Sequence, residues 1–209
     1  MEDTNTLTRK DREKLQRKQE IMKAAALLFS QKGFNHTTLE EIAVKAEFGI
    51  GTIYNYFQSK EEIFKSIIDN TFDRSYEILS QCVNDTPSLV EFFKVYTRKV
   101  FEFYADNKEE LIILVSFYTA IGEGPSNLRR DAFSAKDCKL DELLKQKIKE
   151  GIKNKEIRKI NPEYLYIFYH GLLFPYIANL VYLGKLNKPE INQHINFILD
   201  VIFNGILVR

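Results

Sequence analysis

The chain has 209 residues, a formal net charge of +1 and hydrophobic residues at 44%. That length carries one or two domains with a real core, and the near-neutral balance argues against a general nucleic-acid coat protein. No apolar run follows the N-terminus, so no secretory signal is expected, and Cys82 and Cys138 lack metal-ligand spacing and read as reduced thiols of a cytoplasmic protein.

The charge is unevenly placed. Between Thr8 and Lys32 stand eight basic residues, Arg9, Lys10, Arg12, Lys14, Arg17, Lys18, Lys23 and Lys32, against Asp11, Glu13 and Glu20. Residues 1–14 read as a basic flexible arm suited to neutralising phosphates, and a solvated tail is the plainer alternative. The arm leads into a first helix.

The stretch 37–60 is the most informative. Thr38 and Glu41 have capping-box spacing, and Leu39, Ile42, Ala43 and Ala46 fall on one helical stripe. Glu47-Phe48-Gly49 is long enough only for a turn, and Gly49 can cap a second short helix. There Ile53 and Phe57 anchor inward, which leaves Thr52, Asn55 and Tyr56 opposite, with Tyr54 at the flank. Gly51 removes a side chain where a recognition helix approaches the major groove. Ser59 with Glu62 forms a second cap, and Lys60 sits at a positive helix start, where a phosphate would favour it. The expected DNA contacts are Thr37, Thr38, Ile50, Gly51, Thr52, Tyr54, Asn55, Tyr56 and Lys60. Half-buried tyrosines, a surface Asn55 and a solvated Lys60 are the bland alternative; Thr38 also serves as a cap.

Taken together, Ile21, Ala24-Ala25, Leu28-Phe29, Gly33-Phe34, Thr37-Thr38, Ile42-Ala43, Ala46, Gly51-Thr52-Ile53-Tyr54, Tyr56-Phe57 and Ser59-Lys60 resemble the DNA-binding domain of the TetR family of transcriptional regulators. The resemblance covers residues 15–75, with the helix-turn-helix at about 37–56. It implies an all-helical homodimer with a DNA-reading N-terminal domain and a C-terminal domain, residues 76–209, that binds a small molecule. Two departures stand out. The family commonly has Gly-Val-Ser where this chain has Glu47-Phe48-Gly49, so either Glu47 takes an uncommon positive φ with some strain or the turn differs slightly. The position after the cap, often polar in the family, is Ile50, which can touch a thymine methyl but cannot donate a hydrogen bond.

The remaining chain reads as helix throughout, so the fold class is all-α. Ile63, Phe64, Ile67 and Ile68 continue a helix past Tyr76 that links the two domains. Thr86-Pro87 has the cap-plus-proline form of a helix start, and Asn107 is placed to cap the next helix. A longer helix is expected over 127–153, and Asn161-Pro162 opens one that is apolar on nearly every face up to Leu183. Its length approaches a membrane span, but His170, Asn179, Pro175 and its tyrosines favour burial between its own domain and a partner subunit. With the last helix it forms the expected dimer interface: Leu172, Tyr176, Asn179, Ile191, Ile195, Ile198, Ile202 and Ile206.

Phe93, Tyr96, Phe103, Phe117, Tyr118, Phe133, Tyr169, His170 and Phe174 are candidates for the pocket of a small, largely apolar or aromatic ligand. An ordinary aromatic core, with His170 as a satisfied core histidine, is the competing account. The function expected is a repressor that binds a palindromic double-stranded operator as a homodimer and is released by an inducer. An activator, or a DNA-bound regulator of another process such as cell division, belongs to the same class. Enzymatic chemistry has little support: His36, His170 and His194 have no ligand spacing, and no phosphate loop or nucleophile–base pattern is present. No cofactor, metal or membrane partner is expected.

Overall fold

The computed structural model describes residues 8–118, 135–187 and 190–206, and among them every regular element is a helix. Phe133 and the side chains of Tyr118, Cys138 and Ile206 lie outside the described residues, as does the stretch 127–134 expected to open a long helix.

Helix α1 (Arg9–Lys32) starts on Thr8, whose hydroxyl accepts from the Asp11 amide at 3.2 Å. That cap, with an acid in the first turn, draws residues 9–14 into the helix, where the basic composition alone suggests a flexible arm. The first half of α1 is exposed; Ile21, Ala25 and Phe29 then enter the core. The short helices α2 (Leu39–Lys45) and α3 (Ile50–Tyr54) follow, and α4 (Lys60–Asp85) runs from this bundle into the rest of the molecule.

The junction is aromatic. Phe64 of α4 lies 5.6 Å from Phe29 and 5.3 Å from Phe34 on one side, and 6.2 Å from Phe117 on the other. Phe117 belongs to α6 (Lys108–Tyr118), so it joins the two halves of the fold. A polar tie reinforces this joint: Glu110 of α6 meets Arg74 at 3.2 Å and accepts from Thr71 at 3.1 Å, both on α4.

Helix α5 (Leu89–Asp106) is capped by Ser88 and not by Thr86. Thr86 finishes α4 instead: its hydroxyl donates to the Cys82 carbonyl at 2.6 Å, and its carbonyl accepts the Lys147 ammonium at 2.7 Å. Asn107 does not cap α6 with its side chain either. It donates to the Phe103 carbonyl and accepts from Arg74. Helix α7 (Ala135–Lys153) packs on α4, and α8 (Pro162–Tyr182) packs on α6 and α7. Asn161 caps α8 as its sequence implies, and the helix runs through Pro175 unbroken. By length and composition α8 could cross a membrane, yet Leu165, Tyr169, Leu173, Ile177 and Leu180 lie buried in the protein's own core. Phe93 meets Tyr169 at 4.9 Å there, Tyr96 stacks on Phe92 at 5.4 Å, and the Thr97 and Tyr169 hydroxyls bond at 3.0 Å.

Helix α9 (Ile191–Ile206) corrects the expected interface. Ile191, Ile195, Ile198 and Ile202 are buried within the protomer, where α9 packs on α5. A helical stripe reports which residues are hidden but not whether the same chain hides them. The surface left uncovered is a different one. Tyr164, Ile167, Phe168 and Tyr182 recur at helical spacing along one side of α8, and Phe197 and Val201 stand a turn apart on α9; all are exposed. Asn179 lies on the exposed side of α8, while Leu172 and Tyr176 are half-buried at its edge.

Candidate nucleic-acid interface and effector region

Both devices expected at the start of the helix-turn-helix are present. Thr38 accepts from the Glu41 amide at 3.3 Å, and Glu41 accepts from the Thr38 amide at 2.9 Å. Lys32 adds a 2.5 Å contact to the same carboxylate, and it is the main reason that the Glu41 carboxyl is held below its ordinary range. The turn passes through Glu47 at φ 60°, the left-handed conformation for which the family uses glycine.

This geometry decides which side of α3 faces out. Ile53 and Phe57 are fully buried. Ile50, Gly51, Tyr54 and Asn55 are exposed, with Tyr54 at 48%, while Thr52 and Tyr56 are half-buried and Tyr56 packs on the core. A Cβ added at Gly51 would meet nothing within 4 Å, so no internal packing asks for glycine there.

Two expected DNA contacts are placed differently. Thr37 is 1% exposed and donates its hydroxyl to the Gly33 carbonyl at 2.9 Å, so it closes the turn after α1 and presents nothing outward. Lys60 turns inward: its ammonium donates to the carbonyls of Phe34 at 2.9 Å and Thr37 at 3.0 Å, and sits 4.4 Å from the centre of the Phe34 ring. The carbonyls replace the phosphate in offsetting the unfavourable helix start. Lys60→Met should lower the free energy of unfolding by about 1–3 kcal/mol, since it strips buried carbonyls of their donor. Urea unfolding measures this. Binding to operator DNA should keep its salt dependence, and a shallower slope would put the ammonium on a phosphate after all.

The expected pocket residues separate into three groups. Phe93, Tyr96 and Tyr169 are packed into the core, and Phe117 belongs to the junction with Phe64. Phe103, His170 and Phe174 form the third group around Tyr104, which is absent from the pocket candidates that the sequence suggests. Tyr104 meets Phe103 at 4.8 Å and Phe174 at 5.8 Å, and His170 meets Phe174 at 5.1 Å. Nothing in its spacing separates Tyr104 from its core neighbours; only the contact across helices does.

A short helix with an unclaimed polar face, held by a strained tight turn on an all-helical body, defines a helix-turn-helix DNA-binding transcriptional regulator. Comparison with known proteins agrees. Residues 21–67 match the model of the bacterial regulatory proteins, tetR family. YhgD of Bacillus subtilis, an uncharacterised HTH-type transcriptional regulator, is 28% identical over 149 residues, 71% of this chain and 76% of its own. A solved Clostridium perfringens structure, provisionally assigned as a fatty acid metabolism regulator, is 27% identical with a TM-score of 0.75 over 91% of this chain and all of that one. The regulator FadR of Bacillus subtilis, solved with stearoyl-CoA, shares the fold at 20% identity, with a TM-score of 0.73 over 90% of this chain and 98% of its own. Residues 21–67 are thus the DNA-binding domain of the TetR family, and over most of its length the chain is similar to transcriptional regulators of that kind.

Proposed function

We propose that the protein is a homodimeric repressor whose α3 helices read the two halves of a palindromic operator, and that an acyl thioester releases it. The outward face of α3 carries the reading: Ile50, Tyr54 and Asn55 are exposed around a glycine that the protein's own packing does not need. Thr38 and the half-buried Thr52 border that face. The exposed apolar sides of α8 and α9 supply the dimer surface, in place of the isoleucine stripe of α9.

The thioester is suggested by the stearoyl-CoA held by FadR of Bacillus subtilis and by the aromatic group around Tyr104 and Phe174 in this chain. Helix α4 couples the two ends, because it carries both the core of the reading head and the Arg74–Glu110 tie to α6. A ligand that favours one packing of α6 and α8 would bias the separation of the reading heads. The test is fluorescence anisotropy of a labelled operator duplex. Octanoyl-CoA or stearoyl-CoA should weaken binding about tenfold or more, and no change with any thioester between those lengths would sink the inducer assignment.

Salt dependence tests the DNA contact separately. The exposed start of α1 places Arg9, Lys10, Arg12 and Lys14 on a projecting helix, although Arg9 is partly committed to Glu13 at 2.9 Å. Alanine at all four should make the plot of log affinity against log salt shallower by about 0.9 for each phosphate no longer neutralised, with sequence preference kept. An unchanged slope would show that α1 stays clear of DNA.

A further inference from the structure

Two buried side-chain atoms have no hydrogen-bond partner among the described residues, Tyr104 Oη and His170 Nε2. They come from different helices, α5 and α8, and both of their rings pack against one side chain, Phe174. Tyr104 meets Phe174 at 5.8 Å and an interplanar angle of 82°, and His170 meets it at 5.1 Å and 87°. An unpaired buried polar atom costs about 1–3 kcal/mol, so such atoms are rare, and two beside one side chain need a reason.

The surroundings are not loosely paired. Tyr169 shares a hydrogen bond with Thr97 at 3.0 Å, and Tyr166 donates to Asp141. Arg74 binds Glu110 and Asn107, and Lys145, which lies over the Tyr166 ring, binds Glu163 at 2.7 Å. The charged groups on this side of the core are therefore committed to one another. The two unpartnered atoms carry no charge at neutral pH. Burial pushes the His170 imidazole down to about 4 and the Tyr104 phenol up; the Ser75 hydroxyl offsets part of the latter without making a well-formed bond.

An anion placed here would be buried beside cations already in use, which is strongly unfavourable. A neutral acceptor would gain a hydrogen bond from the phenol and one from the neutral imidazole. We propose that Tyr104 Oη and His170 Nε2, whose rings both pack edge-on against Phe174, form a two-point anchor for an uncharged carbonyl on an otherwise apolar ligand. This deepens the effector reading above and rests on it for the ligand's identity: the site accepts the acyl thioester and refuses the free fatty acid.

The experiment uses the full chain and three probes, octanoyl-CoA, octanoate and 2-nonanone, the last an uncharged carbonyl without coenzyme A. Nitrogen NMR of the imidazole follows His170 Nε2, and calorimetry gives affinities. The Nε2 resonance should move with octanoyl-CoA and 2-nonanone and stay in place with octanoate. Tyr104→Phe and His170→Phe should each weaken octanoyl-CoA about tenfold, the loss of roughly one hydrogen bond, while ligand-free operator affinity is unchanged. His170→Gln, which keeps a donor, should recover most of the loss. Both aromatic replacements remove an unpaired atom, so they should fold at least as well as the parent. If 2-nonanone moves Nε2 and octanoyl-CoA does not, the thioester assignment falls and the anchor stands. If neither moves it, or if His170→Phe binds octanoyl-CoA with unchanged affinity, the two atoms are met by water alone and the anchor is overturned. Equal binding of octanoate would overturn the exclusion of charge.

Discussion

Glutamate at both Phe168 and Phe197 should give folded monomers that no longer hold the operator, whereas glutamate at Ile195 alone should give no stable protein. The contrast follows from where each side chain ends. Phe168 and Phe197 are 52% and 53% exposed, so a carboxylate at either site stays in water in the monomer and helix content is preserved. In a symmetric dimer formed by these faces, each charge would be buried against an apolar surface and its own symmetry mate. Ile195 is 1% exposed within its own protomer. An unpaired carboxylate there consumes a large share of a stability that is about 5–15 kcal/mol for a whole domain. Sedimentation velocity and circular dichroism separate the two cases. A Phe168→Glu/Phe197→Glu protein that remains dimeric places the interface elsewhere; folded monomers of Ile195→Glu would restore the α9 stripe as the contact.

The second large effect lies in α3, where adjacent residues should behave oppositely. Ile53 is fully buried among the helices of the reading head, so Ile53→Ala should destabilise by about 2–5 kcal/mol. Tyr54 is half-exposed and is not among the residues packed on the hydrophobic core. Tyr54→Ala should change stability by no more than about 0.5 kcal/mol and weaken operator binding about tenfold or more, as loss of a charge-assisted phosphate bond does. Urea unfolding and anisotropy titration read the two quantities independently. If Tyr54→Ala melts the protein and Ile53→Ala only weakens binding, α3 presents its other face to DNA.

The reading head is legible in the sequence because its signals are local. The Thr38–Glu41 box and the inward Ile53 and Phe57 follow from spacing within a few residues, and each is present; of the two readings of the turn, the positive φ at Glu47 is the one found. What the sequence does not disclose depends on partners distant in the chain. Lys60 is drawn to carbonyls of residues 34 and 37 across the bundle; Thr37 is the local exception, its hydroxyl closing on the nearby Gly33 carbonyl. Thr86 does not cap α5 because its hydroxyl folds back onto the Cys82 carbonyl, while its own carbonyl takes Lys147, far along the chain. The α9 stripe is buried as its periodicity implies, but its cover is α5 of the same protomer. The grouping of Tyr104 with His170 also appears only across helices, since periodicity gives both the same look as their packed neighbours.

The proposed repressor reads one site with two copies of α3, because a single short helix offers too little contact to pick out a site among genomic competitors. Selection of duplexes from a random pool by the full-length protein, followed by sequencing, tests this most directly. A homodimeric reader should select an inverted repeat whose half-sites are centred one or more DNA turns apart, about 10–10.5 base pairs each. A single unrepeated motif, or no enrichment over the starting pool, would contradict it.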